Sequence, residues 1–390
     1  MKIVLVTETF PPEINGVAMT FSIIAREMGR RHWVSVYRPS RPGLKSRPVP
    51  AEFKEIALPG LPIPRYPELR LGLPAGRVFR RDWKQSRPDV VHVATEGPLG
   101  ASAITTARAM KIPVTSSFHT NFHAYTRHYG IGPLRHLALA WLRRVHNRTC
   151  VTFAPTSELR DELTAAGFRG MSVFSRGVDA RFRPCRRSEE LRKAWAALPD
   201  DPVVLHVGRM APEKNYPLLF RAYAAMRAAE PRSRFVLVGD GPQRHRFERE
   251  LPNGLFTGFV SPDDLARHYA SADIYVHASL TETFGNVLTE AMASGLSVAS
   301  FDYASAREFV QNGENGLVAP PGDSGALISA AVRLAVDPDL RQRLRKAAAA
   351  RMELQSWETV ISRFEAELAN IVAEARAPSC LLREPWIRAT

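Results

Sequence analysis

Cysteine is scarce, with three residues in 390, at Cys150, Cys185 and Cys380. An odd number so widely spaced gives neither a disulfide frame nor zinc-ligand spacing, and it suits a reduced, cytoplasmic chain. Long apolar runs are missing as well. The opening MKIVLVTETF is interrupted by Glu8 and is too short for the core of a secretory leader, and no stretch of ~18 apolar residues follows it. Export by that route and membrane spanning are therefore not expected. Acidic residues are outnumbered, 39 Asp and Glu against 53 Lys and Arg, a net charge of +14 with a pI near 10.1. That balance points to anionic partners, whether nucleic acid, an acidic membrane surface or a phosphorylated substrate. No fixed repeat marks a solenoid, and the dinucleotide fingerprint G-x-G-x-x-G does not occur.

What is present is an ordinary globular balance, 45% hydrophobic and 24% charged, in a chain too long for one core. Short β-branched runs at 3–7, 34–37, 90–93, 114–118, 152–155 and 172–174 predict strands, with helical patterns around 20–30, 100–111, 134–146 and 158–166. The theme restarts at 203–207, 235–238, 255–257, 274–277 and 298–301. Strand runs without polar alternation suit parallel sheets covered on both faces, and alternation with helices implies right-handed βαβ units. Arginine, proline and three chain breaks make 179–202 the expected boundary. The predicted α/β architecture is two facing Rossmann-like domains with a cleft between them, over 1–182 and 183–355. A long helical pattern from 339 to 374 breaks near 355–357, leaving a helix over 356–376 that can cross back to the first domain. A loose tail, 377–390, follows.

Four segments carry chemistry. After the strand at 274–277 comes Ser279-Leu-Thr-Glu-Thr-Phe-Gly-Asn-Val-Leu-Thr-Glu290, with a helix predicted from Asn286. Glu282 falls in the preceding loop and Glu290 about one turn inside the helix. Backbone N–H groups at Phe284, Gly285, Asn286 and Val287 would be the donors of a helix start, suited to phosphate, and the carboxylates suit sugar hydroxyls. The second segment, Gly208-Arg209-Met-Ala-Pro-Glu-Lys214-Asn215, places two cations in one strand-end loop, where they can reach successive phosphates. The third, Pro11-Pro-Glu-Ile-Asn-Gly16-Val17, puts Gly16 at a helix start, where backbone can approach a ligand or simply turn. The fourth, Ser116-Ser-Phe-His119-Thr-Asn-Phe-His123, ends a strand. His119 there can donate to a sugar hydroxyl or a phosphate oxygen, or be a core histidine.

In this order the segments resemble the retaining GT-B glycosyltransferases of family 4, over roughly residues 1–370. The most specific mark is Glu-x7-Glu, Glu282 and Glu290, accompanied by Arg209 and Lys214. The resemblance implies an N-terminal acceptor domain and a C-terminal nucleotide-sugar domain. It implies that Arg209 and Lys214 hold the diphosphate, Glu290 the ribose, and Glu282 with the 284–287 backbone the transferred sugar and phosphate. Gly16 would contact the diphosphate and His119 the sugar. No metal or other cofactor is implied beyond the nucleotide-sugar co-substrate. Glu96-Gly-Pro-Leu-Gly100, the 117–122 run, Tyr125, Tyr129 and Ser175-Arg-Gly-Val-Asp179 look closest to bacterial GDP-mannose-dependent α-mannosyltransferases and sulfoquinovosyl-diacylglycerol synthases. Asn15-Gly16 departs from the common Gly-Gly pair, and many members have Asn where Arg176 stands.

Residues 61–87 hold seven basic residues against two acidic ones, interleaved with apolar residues such as Phe79 and Trp83. The pattern suits either adsorption to an anionic membrane or a helix with its apolar face in the core. The resemblance favours the membrane. The expected function is transfer of a hexose from a nucleotide sugar, GDP-mannose first, to a lipid acceptor at the inner face of the cytoplasmic membrane. A UDP-sugar donor with a lipid, soluble or polysaccharide acceptor is the alternative. No nucleic-acid-binding motif is seen, and nucleic acid is not an expected partner.

Overall fold

The computed structural model describes residues 1–13, 15–41, 52–63, 66–119, 134–279 and 281–377. His123, Tyr125 and Tyr129 lie outside these residues. The chain forms two compact units, Met1–Arg176 with Glu358–Thr390, and Gly177–Trp357.

Unit 1 runs β1 (Lys2–Val6), α1 (Gly16–Gly29), β2 (Trp33–Pro39), β3 (Phe53–Leu58), β4 (Gly60–Ile63), β5 (Tyr66–Gly72), α2 (Gly76–Gln85), β6 (Val90–Val93), α3 (Pro98–Ala109), β7 (Val114–Ser117), α4 (Leu134–His146), β8 (Thr152–Ala154), α5 (Ser157–Ala165) and β9 (Met171–Val173). Seven strands form a parallel sheet in the order β3-β2-β1-β6-β7-β8-β9. Every position of β6 and β7 is buried. In these central strands no position is left to water, so apolar–polar alternation is lost, whereas Lys2, Trp33 and Lys54 toward the β3 edge are exposed. The polar residues on these strands are paired instead. His92 sits between the hydroxyls of Thr115 (2.9 Å) and Ser117 (3.0 Å), and Ser116 reaches His146 at 2.9 Å.

Two features of this unit escape the sequence pattern, β3 and the antiparallel β4–β5 hairpin, whereas α2 is the helix with its apolar face in the core that 61–87 offered as one reading. The basic stretch 61–87 is accordingly hairpin followed by helix, not one surface. Phe79 and Trp83 stack 4.9 Å apart in the core, so the apolar face of α2 is occupied.

Unit 2 continues with α6 (Glu189–Ala194), β10 (Val203–Val207), α7 (Tyr216–Ala229), β11 (Arg234–Val238), α8 (Arg244–Glu250), β12 (Leu255–Gly258), α9 (Pro262–Ser271), β13 (Ile274–His277), α10 (Asn286–Ala293), β14 (Ser297–Phe301), α11 (Ser305–Phe309), β15 (Leu317–Ala319), α12 (Ser324–Val336) and α13 (Pro338–Glu353). Its six parallel strands are ordered β12-β11-β10-β13-β14-β15.

The Arg- and Pro-rich segment 179–202, read above as a boundary, is part of this unit. Arg192 is 1% exposed and donates to Asp273 (2.8 Å) and to the carbonyls of Ser271, Leu198, Pro199 and Asp201. Arg187 and Arg345 reach the same carboxylate at 3.1 and 2.8 Å. The division falls earlier, after Arg176, because Val178 bonds to Gln355 O (2.8 Å) and Gly177 has no room for a Cβ beside Trp357. The last helix, α14 (Trp357–Arg376), packs into unit 1. Phe364 lies 4.5–5.3 Å from the rings of Phe174, His92 and Phe153, and Glu365 pairs with Arg31 (2.9 Å) and His32 (2.6 Å). Among the described residues, no helix is long and apolar enough to cross a membrane.

Candidate active site

Strand order reverses between β10 and β13 in unit 2. Loops leaving the carboxyl ends of two such strands diverge to opposite sides and leave a crevice. The Arg209–Lys214 loop leaves β10 there, and the Glu282 loop leaves β13. Cross-links tie the two loops together: Asn215 Nδ2 donates to Ala278 O (3.2 Å), and the hydroxyls of Ser279 and Thr281 donate to Glu213 O (3.3 and 3.4 Å). Tyr303 braces the second loop, donating to Ser279 O at 2.7 Å while accepting from Glu282 N at 3.3 Å.

Residues 68 positions apart therefore meet: Lys214 Nζ lies 2.5 Å from Glu282 Oε1. Burial alone raises the Glu282 carboxyl, but the Lys214 ammonium beside it holds Glu282 below its ordinary value. His277, 3.9 Å away, is pushed down to about 4 by burial and stays neutral at pH 7. Arg209 is exposed and makes no ion pair among the described residues.

Helix α10 starts at Asn286, with Gly285 as its N-cap and no side chain capping it. Gly285 has φ +90°, and a Cβ there would lie 3.1 Å from the Ser305 hydroxyl and 3.4 Å from Glu282 Cγ. Glycine at this position lets the loop turn into the helix with Glu282 against its start. The side chain of Phe284 is buried against Phe309, so only its backbone can face a ligand. One turn inside, Glu290 accepts a hydrogen bond from Tyr269 OH at 3.0 Å. Burial, with Asp179 nearby, raises its carboxyl to about 7 despite that bond. Lys214, Glu282, the α10 start and Glu290 thus line one end of unit 2. A cation, an uncapped helix start and two carboxylates suit an anion bearing a polyhydroxylated group.

In unit 1 the order reverses between β1 and β6. Gly16 begins α1, but Asn15 Oδ1 already accepts from Val17 N (3.1 Å) and Ala18 N (2.9 Å). Asparagine in place of a glycine thus caps the helix with the chain itself. A Cβ on Gly16 would lie 2.6 Å from Arg176 Nη1, so this guanidinium covers the glycine. His119 has both ring nitrogens sealed from solvent with no hydrogen-bond partner among the described residues, and its ring lies edge-on to Phe21 at 5.5 Å. Burial, then the Arg176 charge, keeps it neutral well below its ordinary value.

Sequence reasoning passed over Glu8 and Glu13. Glu8 accepts from Leu99 N (3.0 Å) and is raised by burial to about 7, while Glu13 is buried against Thr9 and Arg41. Their only sequence signal is two carboxylates in the loop leaving the first strand. Tyr269 and Tyr303, which position Glu290 and the Glu282 loop, give no local signal at all.

Residues 187–351 match the family described as Glycosyl transferases group 1, and residues 14–182 match Glycosyltransferase Family 4. A GDP-mannose-dependent alpha-mannosyltransferase of Mycobacterium tuberculosis is 33% identical over 92% of this chain and 94% of its own. Sulfoquinovosyl transferase SQD2 of Arabidopsis thaliana is 29% identical over 82% of this chain and 64% of its own. Sucrose-phosphate synthase from Thermosynechococcus elongatus superposes with a TM-score of 0.77 at 18% identity, covering 96% of this chain and all of the other. Two parallel-sheet units, both family matches and a full-length relative agree: the chain belongs to the GT-B glycosyltransferases of family 4.

Proposed function

We propose that this glycosyltransferase moves mannose from GDP-mannose to a lipid acceptor at an anionic membrane surface, retaining the α configuration and using no metal. The observation that carries the reading is the Lys214–Glu282 contact beside the uncapped start of α10, with Glu290 one turn on. Lys214 and Arg209 take the diphosphate, Glu290 the ribose, and Glu282 the sugar hydroxyls. When the bond between C1 and the β-phosphate oxygen breaks, the added charge falls on the phosphate, and the two cations with the helix start stabilise it. The acceptor oxygen bonds to C1 from the same face, and its proton passes to the departing phosphate. Glu282 positions the sugar and forms no covalent intermediate. The donor and acceptor follow the full-length mannosyltransferase relative and the lipid-directed look of the 96–100 and 175–179 segments.

The test is thermal stabilisation by GDP, UDP and ADP with EDTA present. A nucleotide at 100 times its dissociation constant adds about 2.7 kcal/mol, enough to move the melting point by a few degrees. Stabilisation by GDP alone, followed by EDTA-resistant mannosylation of a lipid extract, is the expected result. A UDP-only shift reassigns the donor, and no shift overturns the site.

A further inference from the structure

His277 is the last residue of β13, and the Glu282 loop follows it. The side chain is buried, 3% exposed, at the end of a strand otherwise made of apolar and aromatic residues. Its Nδ1 is sealed from solvent with no hydrogen-bond partner among the described residues, whereas Nε2 lies 3.9 Å from Glu282 Oε1. Burial keeps the ring neutral at pH 7, so it carries one proton. With no acceptor for Nδ1, that proton belongs on Nε2, facing the carboxylate. The titratable groups around the ring are Glu282, Lys214, Tyr275 in parallel at 6.0 Å, and His206 on β10, itself pushed down to about 3 by burial. Opposite on β14 stands Ser300, whose hydroxyl donates to Phe301 O at 3.0 Å.

Glu282 has few other donors to turn to. Ser279 lies beside the carboxylate, but its hydroxyl donates to Glu213 O at 3.3 Å, and Tyr303 donates to Ser279 O. A diphosphate seated on Lys214 competes with Glu282 for the ammonium and brings negative charge beside a carboxylate that burial already disfavours. At that moment His277 Nε2–H is the donor within reach. Closing 3.9 Å to an ordinary hydrogen bond takes a carboxylate shift of about 1 Å. A neutral ring makes that bond without adding a cation that would compete for the phosphate.

We propose that His277 is a positioning residue for Glu282: when a diphosphate draws Lys214 away, His277 Nε2–H takes over the carboxylate and holds it, ionised and aimed, toward the hydroxyls of the transferred sugar. The assignment rests on the reading that Lys214 takes the diphosphate and Glu282 the sugar.

The test compares His277→Leu, which fills the space without a donor, with His277→Gln, whose amide donates from a similar reach. Imidazole nitrogen NMR spectra of the full-length protein at pH 8 come first, with inorganic pyrophosphate as the probe, because it engages Lys214 whatever the base of the donor. The signal absent from His277→Leu should move on saturation. In Lys214→Ala it should sit at the moved position before any anion is added. With GDP-mannose and a lipid extract, His277→Leu should lower kcat roughly thirtyfold, the factor for losing a hydrogen bond to a charged group, with KM for the nucleotide sugar nearly unchanged. The acidic limb of the kcat profile should rise by about one pH unit, because Glu282 loses a donor to its ionised form. The limb of kcat/KM should stay, since in the free enzyme Lys214 still holds Glu282. His277→Gln should restore kcat and its limb. A His277 signal that moves neither with pyrophosphate nor in Lys214→Ala, or a wild-type kcat and limb in His277→Leu, would overturn the proposal. GDP stabilisation, measured on every variant, should persist in both His277 variants. If it persists while these readouts fail, only the role of His277 falls. If GDP and pyrophosphate stabilise no form of the protein, the active-site reading falls and this assignment with it.

Discussion

At the scale of residues, the candidate site is defined by what each group does to its neighbour's charge. Lys214 holds Glu282 ionised in a buried place, and the contact leaves the ammonium beside the start of α10. Lys214→Ala removes a charge-assisted contact worth about 2 kcal/mol, so GDP affinity measured by calorimetry should drop about thirtyfold. Glu290 offers a pH handle. Its carboxyl is raised from 4.5 to about 7, so between those values the native state holds a proton that the unfolded chain has lost. Stability from this group is therefore lost as pH rises from about 4.5 to 7. Hydroxyls donate to the ionised form, so binding should move the opposite way, with GDP affinity rising roughly tenfold from pH 6 to pH 8. Glu290→Gln should flatten that rise. A slope that survives the substitution assigns the titration elsewhere.

At the scale of elements, the buried strands and the loops at their carboxyl ends were legible because their signals are local: unbroken β-branched runs and Glu-x7-Glu spacing. The order reversals that bring Lys214 to Glu282 are long-range pairings and leave no mark on either segment. The hairpin at 60–72 was hidden by its prolines and scattered arginines. The same composition reads as a boundary at 179–202, where Arg187 and Arg192 are anchors on Asp273. Burying Arg192 succeeds because Asp273 and four carbonyl oxygens accept hydrogen bonds from its guanidinium. Arg192→Met leaves Asp273 with fewer partners and should cost about 3–5 kcal/mol, read as a lower melting temperature. A loss under 1 kcal/mol would mark the segment as a loosely held connector.

At the scale of the whole molecule, the two units differ in how the chain builds them. Unit 2 is one continuous stretch, whereas unit 1 needs α14, which follows unit 2 in sequence. Phe364→Ala removes the ring among His92, Phe153 and Phe174 and should destabilise unit 1 by about 3–5 kcal/mol. Hydrogen exchange should show lost protection in β6 and β8 while GDP still protects β10 and β13. The location of α14 also sets an order of events during synthesis. As the chain leaves the ribosome, unit 2 is complete once Trp357 has emerged. Most residues of unit 1 precede unit 2 in the chain, yet they must wait for Phe364, in the second turn of that 20-residue helix, before their aromatic cluster closes. Of the two units, the one that starts first along the chain is thus the later one able to finish folding.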